Sequence, residues 1–188
     1  TIDQKIYFKN LDTIKFRFIN EYGEVDRTIR RLSAETQLKT RFEEIDKIAE
    51  NAQDIKPNLM SVVPRLLEKV YDKIYAKGSE LSGIKSKLFH WAIELGEQWE
   101  PYGKNGAWYE FKLKIANKLI FSKWRAALGG ELTTMVSGSA ALSPRLTRIF
   151  CAAGMKVMEG YGLTETSPVV SVGMYRDNHF KVGTVGKP

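Results

Sequence analysis

Cysteine occurs once and histidine twice in these 188 residues. A lone Cys151 excludes any internal disulfide, and two histidines with one cysteine are too few to assemble a zinc site. Cys151 falls on an apolar helical stretch, where a thiol reads as buried and inert rather than nucleophilic. His90, beside Trp91 on a helical pattern, and His179, in a polar stretch, read as structural rather than catalytic. No apolar run approaches the roughly 18 residues of a membrane-spanning candidate. The opening Thr1-Ile2-Asp3-Gln4-Lys5 lacks a signal-peptide layout, so a cytosolic address is expected. Repeats and low-complexity linkers are also missing.

Hydrophobic residues make up 43% and charged residues 27%, a balance that suits a folded core rather than a disordered chain. The length suggests one domain or a little more. The net charge of +7 is concentrated between Lys56 and Arg125, where thirteen Lys or Arg face seven Asp or Glu. Acids are interspersed among these bases, so a solvated surface is one reading; attraction to polyanionic small molecules or to a lipid surface is the other.

Short strands are expected at Ile6 to Phe8 and Ile14 to Ile19, with a turn at Glu21-Tyr22-Gly23-Glu24. From Phe42 the pattern is helical, with Ile45, Ile48, Ala49 and Ala52 on one face, until Pro57 breaks it. Asn58 to Val63, apolar and bounded by prolines, predicts a buried strand. A helix from Arg65 turns Leu66, Leu67, Val70 and Ile74 inward and is expected to stop at Gly78. A second uses Leu81, Ile84, Leu88, Trp91, Ala92 and Leu95. A third uses Trp108, Phe111, Ile115, Leu119, Trp124 and Leu128 and ends at Gly129-Gly130. These aromatic stripes read as core.

Beyond Gly130 the period shortens. Leu132 to Val136 predicts a strand ending in a small-residue loop, Ser137-Gly138-Ser139-Ala140-Ala141. Ser143 is a candidate N-cap with Pro144 at the first helical position, and Gly154 a stop. Lys156 to Glu159 predicts the next strand, with Gly160-Tyr161-Gly162-Leu163-Thr164-Glu165-Thr166 as a loop leaving it; a further strand is expected over Pro168 to Val172. This is a βαβ unit with two glycine-bearing loops at strand carboxyl ends, where open α/β sheets bind ligands. A plain turn would account for the second loop alone. As a ligand loop it offers backbone access at Gly160 and Gly162, a stacking ring at Tyr161, a hydroxyl for a phosphate or ribose at Thr164 and hard oxygens for Mg2+ at Glu165.

Three stretches together resemble the AMP-forming acyl-CoA synthetases: Val136-Ser137-Gly138-Ser139-Ala140-Ala141-Leu142, Gly160 to Thr166, and Gly183-Thr184-Val185-Gly186-Lys187-Pro188. Lys56-Pro57 followed by Val63-Pro64-Arg65-Leu66-Leu67-Glu68-Lys69, with the long aromatic helical insertion, resembles the long-chain fatty-acid:CoA ligase branch. The resemblance covers about residues 42–188. It implies an α/β fold, with a parallel or mixed sheet and flanking helices, belonging to the large amino-terminal domain of such a synthetase. Residues 42–188 would be its central portion, with a helical insertion over 65–130. Residues 1–41 resemble the family's far amino-terminal segment through Phe18 to Glu24 and Leu32 to Glu35.

The activity implied is ATP-dependent conversion of a fatty acid to an acyl-adenylate and then to its coenzyme A thioester. Gly138, Ser139 and Ala140 would approach the adenine and the acyl entrance, and Tyr161 would pack on adenine between the access points Gly160 and Gly162. Thr164 would bond the α-phosphate, and Glu165 would hold Mg2+. The implied partners are fatty acid, ATP and CoA, with no nucleic acid and with peripheral membrane association as a further expectation. The family's Ser/Thr/Gly phosphate loop, ribose-binding Asp and carboxyl-terminal Lys have no counterpart here, so a fragment or internally deleted form of a longer enzyme is expected. Two other readings stay open: a fatty acyl-AMP ligase or another acid:CoA ligase, and a non-enzymatic basic α/β binding module.

Overall fold

The computed structural model describes residues 48–166, 169–175 and 179–186. The expectations for residues 1–47, for Pro168 and for the closing Lys187-Pro188 lie outside the described residues. Helix α1 (Ile48–Ile55) ends at Lys56, whose φ of 48° breaks the helical path ahead of Pro57. Strand β1 (Leu59–Val62) follows, then α2 (Pro64–Ser79) and α3 (Gly83–Glu97). After a short 3-10 turn at Pro101–Gly103 comes one long helical rod: α4 (Ala107–Ala116), a π-helical turn (Asn117–Phe121) and α5 (Ser122–Ala127). Strand β2 (Thr134–Ser137), α6 (Pro144–Ala152), β3 (Lys156–Gly162), a 3-10 turn (Thr164–Thr166) and β4 (Val169–Val172) complete the order.

The sheet runs β1-β2-β3-β4, with the first two pairings parallel and β3-β4 antiparallel. Met60, Val62, Met135, Ser137, Val157 and Glu159 lie on the buried face, while Leu59, Ser61, Thr134, Val136 and Met158 are half buried on the other. Helix α6 crosses from β2 to β3 and packs on α3 at Gly96, where an added Cβ would stand 3.5 Å from the Ile149 Cα. Arg145 and Arg148 on α6 reach Glu97 and Glu100, each at 2.7 Å. Phe121, Phe150, Ile149, Met155 and Val157 are fully enclosed in the core.

Three local expectations are corrected. Gly78 does not stop α2: it lies inside the helix, and a Cβ there would fall 2.1 Å from the Phe89 ring, so the glycine permits a close helix approach instead. Trp108, Phe111, Ile115 and Leu119 are not core: they are 68%, 55%, 38% and 42% exposed, while Tyr109, Leu113, Ala116 and Ile120 face inward. The rod is apolar on both sides, and the π turn inserts one residue that shifts the phase, which returns Trp124 and Leu128 to the core. On α3, Ile84 is 82% exposed and Leu81 before it is also exposed, whereas Ala92 and Leu95 are buried.

Glycine serves as expected at Gly129, Gly130 and Gly154, with φ of 91°, 81° and 83°. Asn117, within the π turn, donates to the Leu113 and Ala152 carbonyl oxygens at 3.1 and 2.9 Å. Arg125 donates to the Asn117 Oδ1 at 2.7 Å and also to the Ala153 carbonyl oxygen. The helical rod thereby grips the carboxyl end of α6, which leads through Gly154 into β3.

Candidate functional site

Parallel pairing sets Ser137 of β2 opposite Glu159 of β3, so the segments after these residues leave the same edge of the sheet side by side. The expected loop at Gly160 is corrected: β3 continues through Gly160, Tyr161 and Gly162, which pair with Val172, Ser171 and Val169 of β4, with a bulge between Tyr161 and Gly162. Alternation alone could not foresee this, because the added length comes from a strand downstream. A Cβ on Gly138 would lie 4.0 Å from the Gly160 carbonyl oxygen, and one on Gly160 would lie 3.8 Å from that of Ser137. Gly138 and Gly160 are therefore next to each other across the two strands.

Ser139 has φ of 71°, a left-handed conformation that strains a residue carrying a Cβ. Ser139, Ala140 and Ala141 are exposed, while Leu142 returns to the core. Ser143 occupies the N-cap with Pro144 at the helix start, but its side chain makes no capping hydrogen bond. Tyr161 is 49% exposed, so its ring is open to a planar ligand.

Beyond Gly162 a tight 3-10 turn carries Thr164, Glu165 and Thr166. The Thr166 hydroxyl accepts from the Leu163 N–H at 3.0 Å and donates to the Leu163 carbonyl oxygen at 2.8 Å, closing the turn on itself. Glu165 is exposed on that turn. The Thr164 side chain lies outside the described part of the structure.

Two residues under this rim were not singled out by sequence reasoning. Glu159 is a buried carboxylate whose Oε2 accepts from the Leu142 N–H at 3.3 Å. Burial raises its pKa, while the Leu142 and Gly183 N–H groups and the Thr147 hydroxyl partly offset this by stabilising the charged form. Glu159 thus ties β3 to the β2 loop, to α6 and to the turn at Gly183. Its position at the strand end carried no local signal, since its partners are distant in sequence. Ser137, opposite it, is 1% exposed, and its hydroxyl has no hydrogen-bond partner among the described residues. An unmatched buried polar group is uncommon, and a water, an ion or a functional role accounts for such a group.

Cys151 is buried as expected. Its sulfur lies 2.8 Å from the Tyr175 hydroxyl and accepts from the Val157 N–H at 3.4 Å. Burial pushes the thiol up to about 11, which removes it as a neutral-pH nucleophile. His90 stacks on Tyr75 with the rings 6.0 Å apart and 2° from parallel, and His179 is exposed. The described residues contain no group of three or more His, Cys, Asp or Glu placed to hold a metal.

The edge therefore presents adjacent glycines, strained backbone, an open ring and an exposed carboxylate. Such an arrangement can bind a planar anionic ligand through backbone and ring, leaving bond changes to the ligands themselves. The family described as AMP-binding enzyme matches residues 33–188. Long-chain-fatty-acid--CoA ligase FadD15 of Mycobacterium bovis is 38% identical over 136 residues, which are 71% of this chain and 22% of that protein. Long chain acyl-CoA synthetase 6, peroxisomal, of Arabidopsis thaliana is 34% identical over 144 residues, 76% of this chain and 19% of that protein. Fatty acyl-CoA synthetase A of Dictyostelium discoideum is 31% identical over 148 residues, 77% of this chain and 20% of that protein. The chain spans about a fifth of the length of these relatives.

Proposed function

The chain belongs to the AMP-binding enzyme family, and from that premise we propose that it forms part of a ligase that joins long-chain fatty acids to coenzyme A through an acyl-adenylate. The observation that carries this reading is the adjacency of Gly138 and Gly160 at neighbouring parallel strand ends, beside the exposed Tyr161 ring. The names of the relatives supply the substrate class.

In the first step a fatty-acid carboxylate oxygen attacks the α-phosphorus of ATP, the bond to the β-phosphate oxygen breaks, and pyrophosphate leaves. In the second, the coenzyme A sulfur attacks the acyl carbonyl carbon, and AMP departs with the carboxyl oxygen. The mixed anhydride activates the acyl group, so no protein nucleophile is required. Tyr161 would pack on adenine, while Gly138, Ser139, Ala140, Gly160 and Gly162 would bring backbone close to the nucleotide and the acyl entrance. Thr164 would bond the α-phosphate.

Glu165 would contribute an oxygen to Mg2+. Its solitary exposed carboxylate suits an ion that keeps several waters and shares its coordination with substrate phosphates. Such an ion, when bound, neutralises charge on those phosphates. We further propose a cytosolic address, and a longer ligase that supplies the remaining phosphate contacts.

ATP-pyrophosphate exchange in the intact ligase carrying this segment, measured over a panel of carboxylic acids, tests the reading. Glu165→Gln should lower Mg2+-dependent exchange by about a hundredfold or more with the fold retained. Near-normal exchange would remove the metal role, and no exchange with any long-chain acid in the unmutated enzyme would overturn the proposed substrate class.

A further inference from the structure

The loop after β2 hangs between two fixed points. At its start the Gly138 N–H donates to the Val62 carbonyl oxygen of β1 at 3.2 Å. At its end Leu142 is buried, and its N–H donates to the Glu159 carboxylate at 3.3 Å. The residues between, Ser139, Ala140 and Ala141, are exposed, and Ser139 holds φ of 71°. A residue with a Cβ stays in that left-handed conformation only where its surroundings fix the chain on either side. Glu159 supplies the second of those fixed points.

Packing alone does not account for a carboxylate at this place. Glu159 is 7% exposed, and burying a charge costs more than burying an apolar side chain of similar size. Its donors come from separate segments: the Leu142 N–H from the loop, the Thr147 hydroxyl from α6 and the Gly183 N–H from the turn beyond β4. A group that only accepts can hold all of these at once, whereas an amide would turn its NH2 toward one of them. Glu159 also lies next to the open ring along the strand. Side chains alternate on β3, so Tyr161, two residues on, takes the face that Glu159 occupies, and Gly160 takes the other. The backbone here is pinned as well, with the Gly173 N–H donating to the Glu159 carbonyl oxygen at 2.9 Å.

We propose that Glu159 is the positioning residue of the nucleotide rim: its carboxylate, bonded to Leu142 and two residues before Tyr161, holds Ser139 in its left-handed conformation and so fixes the loop against the end of β3. Its action is through the loop rather than on a substrate. This deepens the ligase reading and rests on it.

Equilibrium ATP binding to the proposed intact ligase carrying this segment, measured well below its melting temperature, tests the proposal. Glu159→Gln should weaken ATP binding about tenfold. In a Ser139→Gly background, where the left-handed conformation carries no strain and needs no holding, the same substitution should weaken it about threefold or less. A carboxylate that served the fold alone would lower the melting temperature and leave ATP affinity unchanged, or would weaken ATP binding by the same factor in both backgrounds. Either result would overturn the proposal. If Glu159→Gln does not fold, Thr147→Val decides, because it removes one buried donor on α6. ATP binding should then weaken about twofold to threefold with Ser139 in place and hold in the Ser139→Gly background, and an unchanged affinity in both would overturn the proposal. No ATP binding by the unmutated enzyme would overturn the ligase reading and this proposal with it, whereas an ATP-binding enzyme indifferent to Glu159→Gln would overturn this proposal alone.

Discussion

At the carboxyl end of α6 two backbone carbonyls are held by side chains of the rod: Asn117 bonds the Ala152 carbonyl oxygen, and Arg125 bonds both Asn117 and the Ala153 carbonyl oxygen. At the strand ends, by contrast, the Ser137 hydroxyl is buried without a partner among the described residues, Ser139 sits at φ of 71°, and Tyr161 is open. The first region is tied by these bonds and serves the fold. The second keeps a strained residue and one unmatched hydroxyl that a ligand could exploit, the pattern expected where binding and stability compete.

That contrast makes substitutions at the joint costly and substitutions at the rim mild. The largest effect is expected for Phe121→Ala, which empties a fully buried site and should lower unfolding stability by about 3–5 kcal/mol in denaturant titration. Arg125→Leu should cost roughly 1–3 kcal/mol, because the Asn117 Oδ1 and the Ala153 carbonyl oxygen lose their donor. At the rim, Ser139→Gly should raise stability by about 1 kcal/mol or less, strain relief outweighing the entropy of glycine. A clear loss of stability there would count against the contrast.

A smaller effect follows from Cys151. Its folded pKa, pushed up to about 11 by burial, exceeds the unfolded value, so its contribution is fully present below the unfolded pKa and is lost as pH rises through about 11. At pH 8 only about a thousandth of the thiol is ionised, so a thiol reagent should label the denatured chain promptly and the native chain hardly at all. Rapid native labelling would mean that the α6–β3 joint opens more easily than its bonding indicates.

Much of this arrangement was legible in local chemistry. Pro57 and Pro64 bracket β1, Pro144 starts α6, and Gly129, Gly130 and Gly154 sit where left-handed backbone ends a helix. The change of period after Gly130 announced the βαβ unit and thus the adjacency of the two rims. What stayed hidden depends on distant partners. The rod carries apolar residues on two sides, so spacing alone could not choose its buried face, and the stripe read from Trp108 to Leu128 changes face at the π turn. Gly78 reads as a stop because its real reason is the Phe89 ring on another helix. Strand β3 runs through Gly160 and Gly162 only because β4 pairs with it, and Glu159 acquires its role from Leu142, Thr147 and Gly183.

The central claim is that the open ring at the end of β3 faces a nucleotide. Equilibrium ATP binding to the proposed intact ligase carrying this segment, compared with its Tyr161→Ala variant, tests it most directly, with fatty-acid binding measured in parallel. Stacking of a base on an aromatic ring contributes about 1–3 kcal/mol, so ATP affinity should fall about tenfold while fatty-acid affinity and melting temperature hold. An unchanged ATP affinity in a folded Tyr161→Ala protein would contradict the claim.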